Sequence, residues 1–177
     1  TNILSCSTTG SYNGEITKDD YYENFDALST SDTFGETLDG SISITTNRNF
    51  STPLSGQTGK SLCWTVNASE GGTYALSLPY TSSSLKSSRY ASMYVYIDAT
   101  TSSQDEDTAA ICAYDASNAS LPTEYFDYMY LCDTNYWHLI NGQIKALPAS
   151  SSVVLKLANT HAGTYQIYID SFATGNK

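Results

Sequence analysis

Strict alternation of apolar and polar residues narrows the fold of this chain more than any other feature. It is clearest from Gly163 to Phe172, which reads Gly-Thr-Tyr-Gln-Ile-Tyr-Ile-Asp-Ser-Phe. Tyr165, Ile167 and Ile169 point one way, and Gln166, Tyr168 and Asp170 point the other. A period of two residues is the signature of a strand with one buried face. Gly163 marks the turn before it. A strand of this quality so close to the C-terminus is expected to close a sheet and pin the end of the chain. Asp170 falls where the apolar run stops, placed to fold back onto a neighbouring loop.

The same rhythm recurs through the chain. Residues 21–28 read as a short strand or a single turn of helix. Ile42 and Ile44 alternate with Ser and Thr. Leu62, Trp64 and Val66 share a face, with Cys63 on the other. Tyr74, Leu76 and Leu78 follow Gly71-Gly72, and two alternating runs around Gly-Gly predict a hairpin. Met93, Val95 and Ile97 face a core while Tyr94 and Tyr96 face away. Further strands are expected over 109–114, 125–131 and 136–140, the last ending at Asn141-Gly142, and around Val153, Leu155 and Leu157. That makes about nine or ten short strands and no convincing amphipathic helix. The predicted fold is all-β: a two-sheet antiparallel β-sandwich of the jelly-roll type over residues 21–177. Residues 1–20 form a polar N-terminal arm.

Composition bounds the function. The chain carries 18 acidic and 8 basic side chains, a formal net charge of −10. That balance argues against nucleic acid, whose phosphates need a basic stripe. No apolar run is long enough for a transmembrane helix. The chain opens on Thr1 rather than Met, which reads as a processed mature form. It is rich in Ser and Thr and has fifteen Tyr, a mixture that suits strands better than helices. The four cysteines, Cys6, Cys63, Cys112 and Cys132, lack metal-ligand spacing. They can pair in more than one way; Cys112–Cys132 and Cys6–Cys63 are the expected disulfides. Sequons at Asn49, Asn67 and Asn118 agree with export. The expected product is an extracellular or cell-surface glycoprotein.

Catalytic signatures are absent. His138 and His161 sit in separate contexts, and there is no nucleophile elbow, zinc-protease helix or phosphate loop. The acidic run 104–107 reads as a solvated loop. No enzymatic activity is expected. The positive signal is aromatic. Tyr94, Tyr96, Tyr128, Tyr130 and Trp137, with Tyr136 nearby, are candidates for a platform that stacks on sugar rings. The competing reading is structural, since Tyr is a favoured strand residue and Trp is usually core.

Several stretches carry a family resemblance. Gly59-Lys60-Ser61-Leu62-Cys63-Trp64-Thr65-Val66 looks like an early strand, Tyr90 to Asp98 like a central one, and Tyr136-Trp137-His138 like an aromatic-centred one. Thr164 to Phe172 looks like a closing strand of the Y-I-D-x-F kind. Together they resemble the galactose-binding-like jelly roll common among carbohydrate-binding modules, over about residues 21–175. The resemblance implies a structural calcium tying the first strand to the last. It would place Asp170 there with Glu23 or Asp26, beside loop carbonyls, since calcium takes about six to eight oxygens. The cysteine set and the N-terminal arm depart from the family pattern.

Two functions follow, from different classes. One is a structural subunit of an extracellular filament or matrix, a homopolymer in which the arm of one copy completes the sheet of the next. Ile3, Leu4, Tyr12 and Ile16 would fill its apolar pockets. The alternative is a carbohydrate-binding module or lectin using a Tyr/Trp face, with glycans as partners. An arm tied back onto its own domain favours the second.

Overall fold

The computed structural model of the 177-residue chain describes residues 18–37, 40–50, 52–81, 89–98, 109–116, 124–144 and 150–176. The described residues form eleven strands and no α-helix. These are β1 (Lys18–Glu23), β2 (Glu36–Thr37), β3 (Ser41–Thr45), β4 (Ser61–Ala68), β5 (Tyr74–Thr81) and β6 (Arg89–Asp98), then β7 (Ala110–Asp115), β8 (Asp127–Tyr130), β9 (Trp137–Ile144), β10 (Ser150–Ala158) and β11 (Gly163–Asn176). One sheet runs β3–β4–β11–β6–β9, with β1 also paired to β11; the other runs β2–β5–β10–β7–β8. All the pairings are antiparallel. The result is the two-sheet sandwich expected from the alternation.

The organising strand is β11. Its first half pairs with β4, from Gly163↔Ala68 to Ile169↔Leu62. Its second half pairs on the same side with β1, from Phe172↔Glu23 to Asn176↔Lys18. Along the other side lies β6, from Gln166↔Asp98 to Gly175↔Tyr90. A bulge interrupts this ladder after Asp170, where Ser171 takes φ 54°. An extra residue shifts the parity of the strand. Before the bulge Tyr165, Ile167 and Ile169 face the core; after it Phe172 and Thr174 do. Thus Asp170 stays on the outer side while Phe172 packs edge-on to Tyr21, Phe34 and Tyr80. Asp170 does fold back onto a loop, accepting the Phe50 N–H at 2.6 Å.

Between the sheets lie Leu62, Trp64 and Val66 of β4, Met93, Val95 and Ile97 of β6, Leu76 and Leu78 of β5, and Val153, Leu155 and Leu157 of β10. Each is buried as its position in the alternation requires. Full burial of such side chains contributes roughly 1.5–3 kcal/mol each, the driving term for closing the sandwich. The Trp64 indole N–H is satisfied by Thr37 Oγ1 at 3.2 Å.

Three expectations are corrected. First, β4 and β5 are not a hairpin. β4 pairs with β3 and β11, and β5 with β2 and β10, so Gly71-Gly72 carries the chain from one sheet to the other. Both sides of β4 are taken inside its own sheet, leaving no ladder for β5. The crossing is tied to the β10–β11 turn instead, by Gly71 N–H to Thr160 O at 2.6 Å and Thr160 Oγ1 to Ser69 O at 2.7 Å. Second, β9 runs through Asn141-Gly142 to Ile144. Gly142 sits under Phe126, where a Cβ would lie 2.7 Å from the ring and 2.8 Å from the Phe126 carbonyl. Close approach, not a turn, explains this glycine.

Third, Cys63, Cys112 and Cys132 are thiols, and the Cys112–Cys132 disulfide is not formed. Cys112 faces Tyr128, whereas Cys132 lies beyond Tyr130, the partner of Ala110. Cys132 sits in the turn that follows β8, past the end of the ladder that places Tyr128 opposite Cys112. Cys63 is buried on the outer side of β4, its sulfur 3.8 Å from Thr65 Oγ1. Cys6, and with it the Cys6–Cys63 pairing, lies outside the described residues, as do Ile3, Leu4, Tyr12, Ile16 and Asn118.

Candidate functional site

The aromatic residues singled out in the sequence fall on opposite outer faces of the sandwich. Tyr94, Tyr96 and Trp137 share the outer face of the first sheet, since Tyr96 pairs with Trp137 and Tyr94 with Leu139. There they touch residues of the segment after β3. Phe50 stacks on Tyr94 at 3.8 Å with rings 13° from parallel, and meets Trp137 edge-on at 5.8 Å. The Arg48 guanidinium lies 4.2 Å from the Tyr96 ring centre and 5.2 Å from that of Tyr168, and bonds Asp98 at 3.3 Å. This segment is anchored through the Phe50 N–H on Asp170 and the Ser61 hydroxyl on the Arg48 carbonyl. Much of the Tyr94–Trp137 surface is therefore occupied by the chain itself.

Tyr128 and Tyr130 stand on the outer face of the second sheet. Alternation along β8 buries Met129 and turns both tyrosines outward. On neighbouring β7, Ile111 and Ala113 are core, so Ala110, Cys112 and Tyr114 face the same way as the tyrosines. Tyr125, just before β8, completes the set. The four rings form a ladder of edge-to-face contacts. Tyr114–Tyr125 centres are 6.2 Å apart at 86°, Tyr125–Tyr128 5.4 Å at 73° and Tyr128–Tyr130 5.4 Å at 79°. Such pairs hold each ring in place. Tyr125 and Tyr128 are each 41% exposed and Tyr130 36%, so their rings stay open to solvent although they are large and apolar.

These rings line a groove of about 500 Å³, with Lys156 and Ala158 of β10 and Asn159 beyond it. That volume suits a small organic ligand. The Lys156 ammonium lies 5.2 Å from the Tyr114 ring centre. Burial raises the Tyr114 hydroxyl above the usual phenol range, with Cys112 and Tyr125 adding to it, and burial also raises the Cys112 thiol. Both are thus held in their neutral forms. The arrangement offers ring faces and edges, neutral hydroxyls, an amide and one ammonium. It has the chemistry of a binding surface. Tyr114, Tyr125 and Lys156 were not among the residues selected from sequence. The parity of β7 was the signal for Tyr114; only the loop geometry brings in Tyr125.

Each calcium candidate already accepts a backbone N–H. Glu23 closes β1 and accepts the Phe25 N–H at 2.7 Å. Asp26 is buried, accepts the Lys60 N–H at 2.7 Å, and its carbonyl takes the Lys60 ammonium at 3.1 Å. Its other carboxylate oxygen, Oδ2, is buried with no hydrogen-bond partner. Burial, opposed by the Lys60 contacts, pushes Asp26 up to about 6; burial, with Asp26 adding, raises Glu23. Asp170 uses its oxygens on the Phe50 and Ser171 N–H groups. Among the described residues no group of three His, Cys, Asp or Glu side chains is placed to hold a metal ion. Of the sequons, Asn49 and Asn67 are exposed, Asn67 accepting a bond from Thr164 Oγ1 at 2.8 Å.

No protein-family model matches the chain, and no curated protein does. Solved structures do. The chain is similar to the CBM22-1 xylan-binding domain of Paenibacillus barcinonensis Xyn10C, with TM-score 0.54 and 14% identity over 89% of this chain and 94% of that one. It is similar to the CBM22-1-GH10 modules of Clostridium thermocellum xylanase 10B, with TM-score 0.55 and 11% identity over 90% of this chain and 28% of that one. It is also similar to the K1 cleaved adhesin domain of Lys-gingipain from Porphyromonas gingivalis, with TM-score 0.53 and 12% identity over 88% and 97%. The fold is the jelly-roll β-sandwich of carbohydrate-binding modules.

Proposed function

We propose that this chain is a non-catalytic carbohydrate-binding domain that holds a single glycan chain in the tyrosine groove of the second sheet. The ladder from Tyr114 to Tyr130 carries the reading. Ring faces stack on the C–H faces of sugars, and rigid tyrosines bind with little loss of side-chain freedom. Successive rings stand 73–86° apart, so neighbouring faces do not share a plane. A flat fibre surface needs coplanar faces; a lone chain that twists as it crosses the groove does not. The similar xylan-binding domain supports the same class of ligand. Exposed sequons at Asn49 and Asn67 support an extracellular setting.

Titration calorimetry against a panel of soluble oligosaccharides tests this. Binding to at least one is expected, with Tyr125→Ala and Tyr128→Ala each weakening it about tenfold, the cost of losing a central aromatic contact. If no oligosaccharide binds, or both variants bind like the wild type, the groove is not the site.

The filament reading is not carried forward. β1 completes the sheet of its own chain, and the similar structures lend assembly no support. We also propose a structural calcium held by Glu23 and Asp26. The orphaned buried Asp26 oxygen beside a second carboxylate is the chemistry a hard cation satisfies. Asp170, committed to two N–H groups, is left out of this set.

A further inference from the structure

We propose that the groove selects glycans that carry acetyl groups, with Ala110 and Ala158 as the floor that receives the acetyl methyl; the proposal rests on the glycan-binding reading above and adds the substituent to it. Tyr130 on β8 lies opposite Ala110 on β7, and Ala110 lies opposite Ala158 on β10. All three face the groove, because Met129, Ile111 and Leu157 beside them are core. Neighbouring strands stand about 4.8 Å apart, so the row steps down from a tyrosine ring to two methyl groups within about 10 Å. Cys112, one step along β7, extends this floor as a neutral thiol, a small apolar group. Thr73 precedes Tyr74, the partner of Leu157, and so falls beside Ala158 at the far end of the row.

A floor of methyl groups decides which part of a sugar can face it. A hydroxyl turned onto it leaves water and gains no hydrogen bond, which costs free energy. Stacking on the tyrosines holds the sugar ring at the level of the aromatic side chains, above the alanines. An acetyl group bridges that step. Its methyl reaches the floor without losing a hydrogen bond and displaces water that apolar groups hold weakly. Its carbonyl oxygen accepts a hydrogen bond, and an acetamido N–H also donates one; a hydroxyl such as that of Thr73 can serve either. Small residues alone would define no ligand. Here they lie within the tyrosine ladder, where Tyr128 is 41% and Tyr130 36% exposed, and the ladder positions the sugar whose substituent they select.

The test uses the full chain and matched pairs of oligosaccharides in titration calorimetry. Chito-oligosaccharides and cello-oligosaccharides differ only in an acetamido group against a hydroxyl on each ring. Acetylated xylan oligomers and their saponified counterparts differ only in acetyl esters. In at least one pair the acetylated member should bind about tenfold tighter, the effect of one methyl-sized group in an apolar pocket. A preference in the first pair assigns the acetyl group to an amino sugar, and one in the second assigns it to an ester. Ala158→Val fills the recess with a strand-favouring side chain and should bring the ratio close to one. Ala158→Ser, of similar size, should keep the acetylated member the tighter ligand. Equal binding within both pairs would overturn the acetyl preference and leave glycan binding standing. A preference that survives undiminished in Ala158→Val would overturn the role of the alanine floor. Failure of every oligosaccharide to bind the wild type would remove the glycan-binding reading itself.

Discussion

Asp26 shows how one buried oxygen sets a measurable property. Its carboxyl titrates near 6 in the folded chain against 3.8 ordinarily, and Glu23 beside it is also raised. An acid whose folded pKa lies above its unfolded one binds its proton more readily when folded, so stability rises as pH falls through 6 toward 4. In chelator, the melting temperature should therefore climb between pH 7 and pH 5, and Asp26→Asn should flatten the rise. Calcium binds the ionised carboxylates, so adding it at pH 7 should raise the melting temperature of the wild type and leave that of Asp26→Asn unmoved. Identical melting with calcium and with chelator at pH 7 would rule the ion out. The carboxylates were legible in the sequence. Which oxygen is orphaned was not, because Lys60 and Phe50 reach Asp26 and Asp170 from distant parts of the chain.

At the scale of elements, β11 carries a strained residue in its interior. Ser171 holds φ 54° in the bulge and is fully buried, with the Tyr22 hydroxyl 3.3 Å from its Oγ. A β-branched residue is strongly disfavoured at positive φ. Ser171→Val should cost about 1–3 kcal/mol of unfolding free energy in a urea titration. A cost near zero would mean that the bulge relaxes. The alternation on either side of this residue was plain in the sequence. The bulge was not, because an added residue reveals itself only against the register of β6. The same limit explains the missed sheet crossing at Gly71-Gly72, where two good strands met a good turn and local pattern could not say which partner each strand takes.

For the whole molecule, the N-terminal boundary and the thiols are decisive. β1 covers the C-terminal half of β11, so a chain lacking residues 1–23 should expose that edge, melt lower and scatter light on warming. A truncated chain as stable and monodisperse as the full one would deny β1 its role. Cys112 and Cys132 should both be alkylated in denaturant without prior reduction, as mass spectrometry would show; protection of either would restore a disulfide to the fold.

By itself the sequence determined the class of fold and the faces of most strands, because a period of two is a local property that burial of one face enforces wherever the strand lands. It also marked Tyr128 and Tyr130 as candidates for an aromatic platform. Only the tertiary structure decided that Tyr94, Tyr96 and Trp137 lie on the opposite sheet beneath Phe50 and Arg48, and that Tyr114, Tyr125 and Lys156 join Tyr128 and Tyr130 in one groove. The reason is physical: side-chain parity is set within a strand, whereas the sharing of a face is set by which strands pair, and those partners can be as far apart along the chain as Lys18 and Asn176.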